Sequence, residues 1–445
     1  MLSFDGIRQQ PGTMLAFGNY QPGYQVILDF DYLSGKEKPS LAGIVTGAAK
    51  FQQYFWGEKE ILVPCFTSAM AARKALGPVD WMLNTNSARR SVHSSREFFQ
   101  AFSEARGGHI FAEDVTEQHA LELRSSYPDA CIIGPAGVGM LVPGALKLGV
   151  IGGVDARQLS ANRLTSAGSV AVFAASGGMV NEIITMVAST GHGISAALCF
   201  GGDRFPACTP IDAFLAAEAD PQTTHIAYYG ELGGVDEYAV ATLLQQKKVT
   251  KPVICYIAGV IGESFDQPVQ FGHAKALAGS ADETASAKRA ALEKAGARVA
   301  TSMKEFRNFI ADLPITEAPM MQRSIGLRRA TRFTSTVGSE VDGRYVFAGT
   351  PLDDWARTGS ISEQITTALL GHRPQSPLTT DFVNTVFLLS VDHGPQVSGA
   401  LSTIITARAG KGLVDSLAAG LLTVGPRFGG AVTDAARTWL GGLRS

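Results

Sequence analysis

Charge is scarce in this chain and neither sign dominates. Only 18% of the 445 residues are Asp, Glu, Lys or Arg, and 38 basic side chains stand against 40 acidic ones, a formal net charge of −2. No global field therefore draws the chain to nucleic acid or to an anionic membrane, and any anion it binds must be held by local donors. Cysteine is equally sparse. The five residues Cys65, Cys131, Cys199, Cys208 and Cys255 form no CxxC pair, and several lie in apolar runs such as CIIG and VICYIAG. They read as reduced thiols rather than as a disulfide framework or a zinc site, so no metal site is expected. No uninterrupted apolar run reaches the roughly 18 residues of a membrane span. The opening MLSFDGIRQQPG also lacks a basic stretch followed by an apolar one. A soluble cytoplasmic protein without a membrane partner is the expectation.

What the chain does have is apolar bulk and glycine. Hydrophobic residues make up 45% of it, enough to bury sizeable cores, and its length implies two or three domains. The 49 glycines follow no collagen-like period and fill no Gly/Ser linker. They belong in the turns between regular elements.

Short Val- and Ile-rich runs alternate with helix-period segments, the pattern of parallel βαβ units and an α/β fold. In the first region YQVILDF, EILVPCF, DWMLNT, HIFAED and DACIIGPAG read as strands, with Asp114 and Glu117 as a helix capping box. A Rossmann-like domain is expected over residues 1–145. A second series, SVAVFAA, GISAALCFGGD, HIAYYGELGG, KPVICYIAG and ARVATS with the helix MKEFRNFIADL, predicts a flavodoxin-like doubly wound domain over 146–315. Residues 316–345, with weak periodicity and many turn residues, read as a connector. Residues 346–445 carry helical spacing and read as all-α.

Four segments could carry chemistry. VAVFAASGGMVNEIITMVAS runs from a buried strand through Ser176, Gly177 and Gly178 into a helix, which collects unpaired backbone N–H groups and a positive dipole end at one point. A phosphate would sit there, although a tight βα turn packed with small residues accounts for the same pattern. The loop Gly201, Gly202, Asp203 and Arg204 ends another strand and is a possible substrate loop. Glu231 ends the strand of YYGELGG at the carboxyl edge of the sheet, where open α/β folds bind ligands. His273 follows Gly272 in VQFGHAKALAG, and an imidazole can be a nucleophile toward phosphorus if a carboxylate orients its other nitrogen.

In this order GELGG, VTKPVICYIAG and FGHAKA resemble the α subunit of succinyl-CoA synthetase, and more closely ATP-citrate lyase. GYQVILDFDYLSGKEKPSLAGIV, QQYFWGEKEILVPCF and LNTNSARRS are similar to the start of the synthetase-α portion. SVDHGPQVSGALSTIITARAGKGLVDSLAAGLLTVGPRFGGA resembles the opening of the citrate-synthase-like module. The resemblance implies a CoA-binding Rossmann-like domain, a phosphohistidine domain and a partial helical citrate-synthase-like module. It implies that His273 takes a phosphoryl group from ATP, that Glu231 stabilises it, and that Ser176, Gly177 and Gly178 hold the phosphate. Phe66, Ser87, Arg89 and Arg90 would contact CoA. ATP and Mg²⁺ would come through an ATP-grasp (succinyl-CoA synthetase β-like) partner subunit, and citrate would become citryl-CoA, on the way to acetyl-CoA and oxaloacetate.

Departures from the family pattern bear on these roles. Ala174 and Ala175 precede Ser176 where the family usually carries an arginine. The later histidine and aspartate of a citrate-synthase-like centre do not appear before Ser445, so the lyase step is not expected of this chain alone. His372 reads as a decoy, and Asp392 and His393 read as packing residues. Self-association through the helical module is expected. The alternatives are a citryl-CoA or succinyl-CoA synthetase α subunit that only ligates, and a non-catalytic CoA-binding scaffold. A nicotinamide dehydrogenase would need a GxGxxG fingerprint after the first strand, which is not there.

Overall fold

A computed structural model of the chain describes all residues except 1, 48–49, 316–322, 329, 331–334, 336, 342–343, 426–430 and 444–445. It divides into two compact units, Met1–Ala330 and Thr331–Ser445.

The first unit is built on two seven-stranded sheets. In one, β1 (Met14–Phe17), β2 (Leu41–Val45), β3 (Phe51–Trp56), β4 (Lys59–Phe66), β5 (Trp81–Asn84), β6 (Gly107–Ile110) and β7 (Cys131–Ile133) take the order β3-β4-β2-β1-β5-β6-β7. All its pairings are parallel except the β3–β4 hairpin. The strand order reverses between β1 and β5, which makes the carboxyl ends of those two strands the natural crevice of a Rossmann-like sheet.

The other sheet contains β8 (Gly139–Val142), β9 (Leu146–Gly149), β10 (Val170–Ala174), β11 (Ile194–Cys199), β12 (His225–Glu231), β13 (Val253–Ala258) and β14 (Arg298–Ala300), ordered β14-β13-β12-β10-β11-β8-β9. Its five parallel strands, β10 to β14, follow the flavodoxin-like order 2-1-3-4-5. The switch point falls between β10 and β12, the strands that lead to Ser176 and Glu231.

Three sequence expectations are corrected in this unit. YQVILDF is not a strand but lies within the helix Gln21–Leu33, which has Pro22 in its first turn. Tyr24, Val26, Ile27, Leu28, Phe30 and Leu33 are all buried, so the helix is covered on nearly every side and its apolar run has no polar face to betray the helical period. Thr116, not Asp114, caps the helix Glu117–Ser126 by accepting from the His119 N–H. The change of sheet falls at residues 134–138, ahead of 145, because GMLVPGALKLG is a hairpin that pairs antiparallel to β11.

The two sheets share a core. Phe4, in the short helix Phe4–Gln9, stacks on Phe173 of β10, and Arg8 on the same helix donates to both oxygens of Asp220 and to the Ser195 carbonyl. The chain's first helix is thus pinned to the second sheet, and buried apolar residues from both sheets form one continuous cluster.

In the second unit β15 (Gly338–Val341), β16 (Arg344–Phe347) and β17 (Thr350–Pro351) form an antiparallel sheet. The expected connector therefore ends in strands; much of the rest of it, and the segment Arg427-Phe428-Gly429-Gly430, lies outside the described residues. From Leu352 the described regular structure is helical: Leu352–Thr358, Ile361–Leu370, Pro377–Ser390, Ser398–Arg408, Leu413–Leu421 and Ala431–Gly442. These helices leave Leu388, Leu389, Val414 and Leu422 more than 60% exposed, an apolar surface far beyond scattered single residues.

No described helix is long and apolar enough to cross a membrane.

Candidate phosphohistidine and cofactor cleft

An open cleft of about 1530 Å³ runs between the carboxyl ends of the two sheets of the first unit. It is lined by Ser87 and Arg89 from the first sheet, and by Ser176, Gly177, Gly178, Gly202, Asp203 and His273 from the second.

His273 sits in the loop after β13 and its hydrogen bonds fix its chemistry. Its Nδ1 lies 2.9 and 2.8 Å from the two carboxylate oxygens of Glu231, so the proton is held on Nδ1 and Nε2 is the nitrogen available to an electrophile in the cleft. The Glu231 hydrogen bond pushes the His273 pKa above the ordinary imidazole value, against a smaller opposing effect of burial. The loop is tied down by its backbone: the His273 N–H donates to the Phe271 carbonyl, Gln270 Nε2 donates to the His273 carbonyl, and the Lys275 N–H donates to the Gly202 carbonyl.

Gly202 lies directly against the imidazole, since a Cβ there would come within 2.5 Å of His273 Cδ2. Gly201 is outside the cleft lining, but its φ of +98° and the 2.0 Å that would separate a Cβ from the Pro135 carbonyl let this strand end press against the 134–138 segment. Asp203 lines the cleft beside Glu113 and Asp114; burial first, then those neighbouring carboxylates, raise its pKa. Arg204 is exposed and does not line the cleft.

Ser176 caps the helix Gly177–Ser189, its hydroxyl accepting from the Met179 N–H at 3.3 Å. The N–H groups of Gly177 and Gly178, in the first turn, have no intrahelical acceptor and face the positive end of the dipole, an anion site made of backbone alone. This suits a site preceded by Ala174 and Ala175 instead of an arginine.

On the first sheet, Ser87 is the N-cap of the helix Ala88–Ala101, exposed like Arg89 and Arg90. Arg90 is not among the residues lining the cleft. Phe66 does not line it either: it packs against the apolar cluster around Leu15, Phe17 and Ala72, where the flat ring finds more contact than at the rim.

Several positioning residues escape the sequence. Lys288 is fully buried, donates to the carbonyls of Glu231 and Gly233, and forms an ion pair of 2.7 Å with buried Glu237, so it clamps the strand end that carries Glu231. Asn84 at the end of β5 donates to the Ser91 carbonyl and to the hydroxyls of Ser94 and Ser95, which sets the start of the Ser87-capped helix. His109 is buried and donates from Nε2 to the Gly137 carbonyl under the cleft floor; burial takes its pKa down to about 4. Asn84 stands within LNTNSARRS without being marked there as a functional residue, and His109 and Lys288 belong to no motif. A polar residue in an apolar strand is the signal for Asn84 and His109, and Lys288 has none. In the second unit His372, Asp392 and His393 are all exposed. Among the described residues no group of three or more His, Cys, Asp or Glu could hold a metal ion.

Against known proteins, the profile of the CoA-ligase family matches residues 173–298, which span β10 to β14 with Glu231 and His273. ATP-citrate synthase beta chain protein 1 of Arabidopsis thaliana is 38% identical over 450 residues, covering 96% of this chain and 74% of that protein. ATP-citrate synthase of Mus musculus is 35% identical over 448 residues, covering 95% of this chain but only 41% of the mouse protein. A solved ATP citrate lyase from Methanosaeta concilii, in complex with (3S)-citryl-CoA, superposes with a TM-score of 0.66 at 32% identity, over 96% of this chain and 72% of that one. Shared over nearly its whole length, these likenesses place the chain in one family: it belongs to the ATP-citrate synthases, or ATP citrate lyases.

Proposed function

We propose that this chain is the synthetase-α-like subunit of an ATP-citrate lyase, in which His273 carries the phosphoryl group that activates citrate. The observation that carries this reading is the pairing of His273 Nδ1 with both oxygens of Glu231 beside a glycine-opened helix start. With its proton held on Nδ1, the imidazole attacks the γ-phosphorus through Nε2, the bond to ADP breaks, and Glu231 stabilises the resulting cation. The Gly177 and Gly178 N–H groups take the phosphoryl oxygens. Transfer to a citrate carboxylate gives citryl-phosphate, and the CoA thiol displaces phosphate to give citryl-CoA.

Ser87 and Arg89 hold CoA phosphates at the other end of the same cleft, where planar guanidinium donors suit them. ATP and Mg²⁺ are brought by an ATP-grasp partner subunit. The exposed apolar helix faces beyond Leu352 support self-association through the helical module, and the protein works in the cytoplasm.

The test is phosphorylation with radiolabelled ATP, Mg²⁺ and an ATP-grasp subunit. An acid-labile, base-stable phosphate should appear on His273 and vanish in His273→Ala; label that survives this substitution unchanged would refute the reading. Adding citrate and CoA then separates lyase from ligase, because acetyl-CoA and oxaloacetate mark the first and accumulated citryl-CoA the second.

A further inference from the structure

Two thiols that play no part in the proposed chemistry line one pocket outside the cleft. Cys131 opens β7 in the first sheet and is half-buried; Cys208 closes the segment that begins at Gly201 and is 4% exposed. Both line a pocket of about 130 Å³ together with Arg124, Asp129 and Asp212. The two side chains share this one small pocket, and the Cys131 thiol, with burial, raises the Cys208 pKa while Arg124 opposes the rise. A pocket of this size admits several water-sized molecules, whose share of liquid volume is about 30 Å³ each.

We propose that Cys131 and Cys208 are a two-thiol redox site at which a hydroperoxide forms a reversible disulfide between the first sheet and the loop that backs His273. Cys131 is the more exposed of the two thiols in the pocket and reacts first. Its sulfur attacks the terminal peroxide oxygen, the O–O bond breaks, and Cys131 becomes a sulfenic acid with release of water when the oxidant is hydrogen peroxide, or of the alcohol when it is an organic hydroperoxide. Cys208 then attacks the sulfenic sulfur; the S–O bond breaks, the Cys208 proton leaves with the hydroxyl as water, and the Sγ–Sγ bond forms. Two thiols lose two electrons and one peroxide gains them. A dithiol reverses the step.

The segment between the partners gives the bond its consequence. Gly202, under the imidazole, and Asp203, on the cleft wall, are six and five residues before Cys208, and the Ala207 N–H already bonds the Gly134 carbonyl just beyond β7. A disulfide adds a covalent tie at the far end of that loop. Its effect on phosphoryl transfer rests on the role proposed for His273, whereas its formation does not.

The experiment treats the full chain with hydrogen peroxide, blocks free thiols, and maps peptides without reduction. The expected product is a linked Cys131–Cys208 peptide lacking two hydrogens, lost on adding dithiothreitol, absent in Cys131→Ser and retained in Cys65→Ser. Amide exchange over residues 202–207 should slow in the oxidised protein and recover on reduction. Oxidation of Cys131 to a sulfinic or sulfonic acid without the link, or a link that leaves exchange over 202–207 unchanged, would overturn the proposal. Because the readouts are a peptide mass and an exchange rate, they stand apart from whether His273 is ever phosphorylated.

Discussion

The two ends of the cleft are built in opposite ways. Around His273, the imidazole is fastened to Glu231, the strand end carrying Glu231 is clamped by buried Lys288, and Lys288 is neutralised by buried Glu237. At the other end Arg89 and Arg90 lie exposed on the first turn of a helix, and only that helix's start is fixed, through Asn84. A covalent nucleophile must meet phosphorus at a defined angle, so its position is worth the cost of burying an ion pair. A phosphate-rich cofactor is attracted by charge and tolerates long, mobile side chains. On the function proposed above, rigidity in this cleft marks where bonds are made, and exposure marks where a ligand is gathered.

The largest effect should come from crowding the rigid end. Gly202→Val places a branched side chain where even a Cβ would stand 2.5 Å from His273, so the imidazole must leave Glu231. Phosphorylation of His273 should fall by about a thousandfold, in line with a loss of near-attack geometry, while the far-ultraviolet circular dichroism spectrum stays that of the parent. Retained phosphorylation would mean that the loop yields and the rigidity is only apparent.

Next in size is Glu231→Gln, which keeps the shape and removes the charge. His273 should lose its raised pKa and phosphorylate on the order of a hundredfold more slowly. The pH dependence carries a sign. The reactive imidazole is neutral, so parental phosphorylation rises as pH climbs through a pKa above the ordinary value of about 6.5, and the variant's midpoint moves lower. Stability runs the other way. The folded parent holds the His273 proton more tightly than the unfolded chain, so the pair's contribution is full below about pH 6.5 and is lost as pH rises through the raised folded pKa. In Glu231→Gln this loss with rising pH should disappear from a denaturation series.

The same contrast explains what the sequence reveals. Strands β10 to β13 are evident because Val- and Ile-rich runs end in glycine, and Ser176 and Glu231 stand at such ends, with His273 in the loop that follows β13. Chemistry at the carboxyl edge of a sheet leaves a local imprint. The helix Gln21–Leu33 leaves none, because burial on all sides erases the polar face that would show a period of 3.6. The β8–β9 hairpin is hidden for a related reason: its pairing is decided by β11, some fifty residues later. Lys288 is equally mute, sitting in the ordinary helix Ala285–Lys294 with its partners 51 to 57 residues away. The network that makes the site rigid is long-range, and so it becomes visible only in three dimensions.

The smallest predicted effect tests the exposed end. Arg89 lines the cleft and Arg90, its neighbour, does not, although both are exposed and adjacent in sequence. Helix geometry turns successive residues about 100° apart, so only one of the two can face the crevice at a time. Arg89→Ala should therefore raise the KM for CoA by about tenfold, the loss of roughly 1.4 kcal/mol expected for a partly solvated guanidinium–phosphate contact. Arg90→Ala should change it by less than about twofold. Neither substitution should alter phosphorylation of His273 measured without CoA, since that step belongs to the rigid end. Equal effects at Arg89 and Arg90 would mean that this end works as a diffuse positive field, and added salt would then weaken CoA binding equally in both variants. A defect confined to Arg89 would instead give the exposed end a defined contact of its own, so that the two halves of the cleft differ in how firmly they hold their side chains and not in whether they place them.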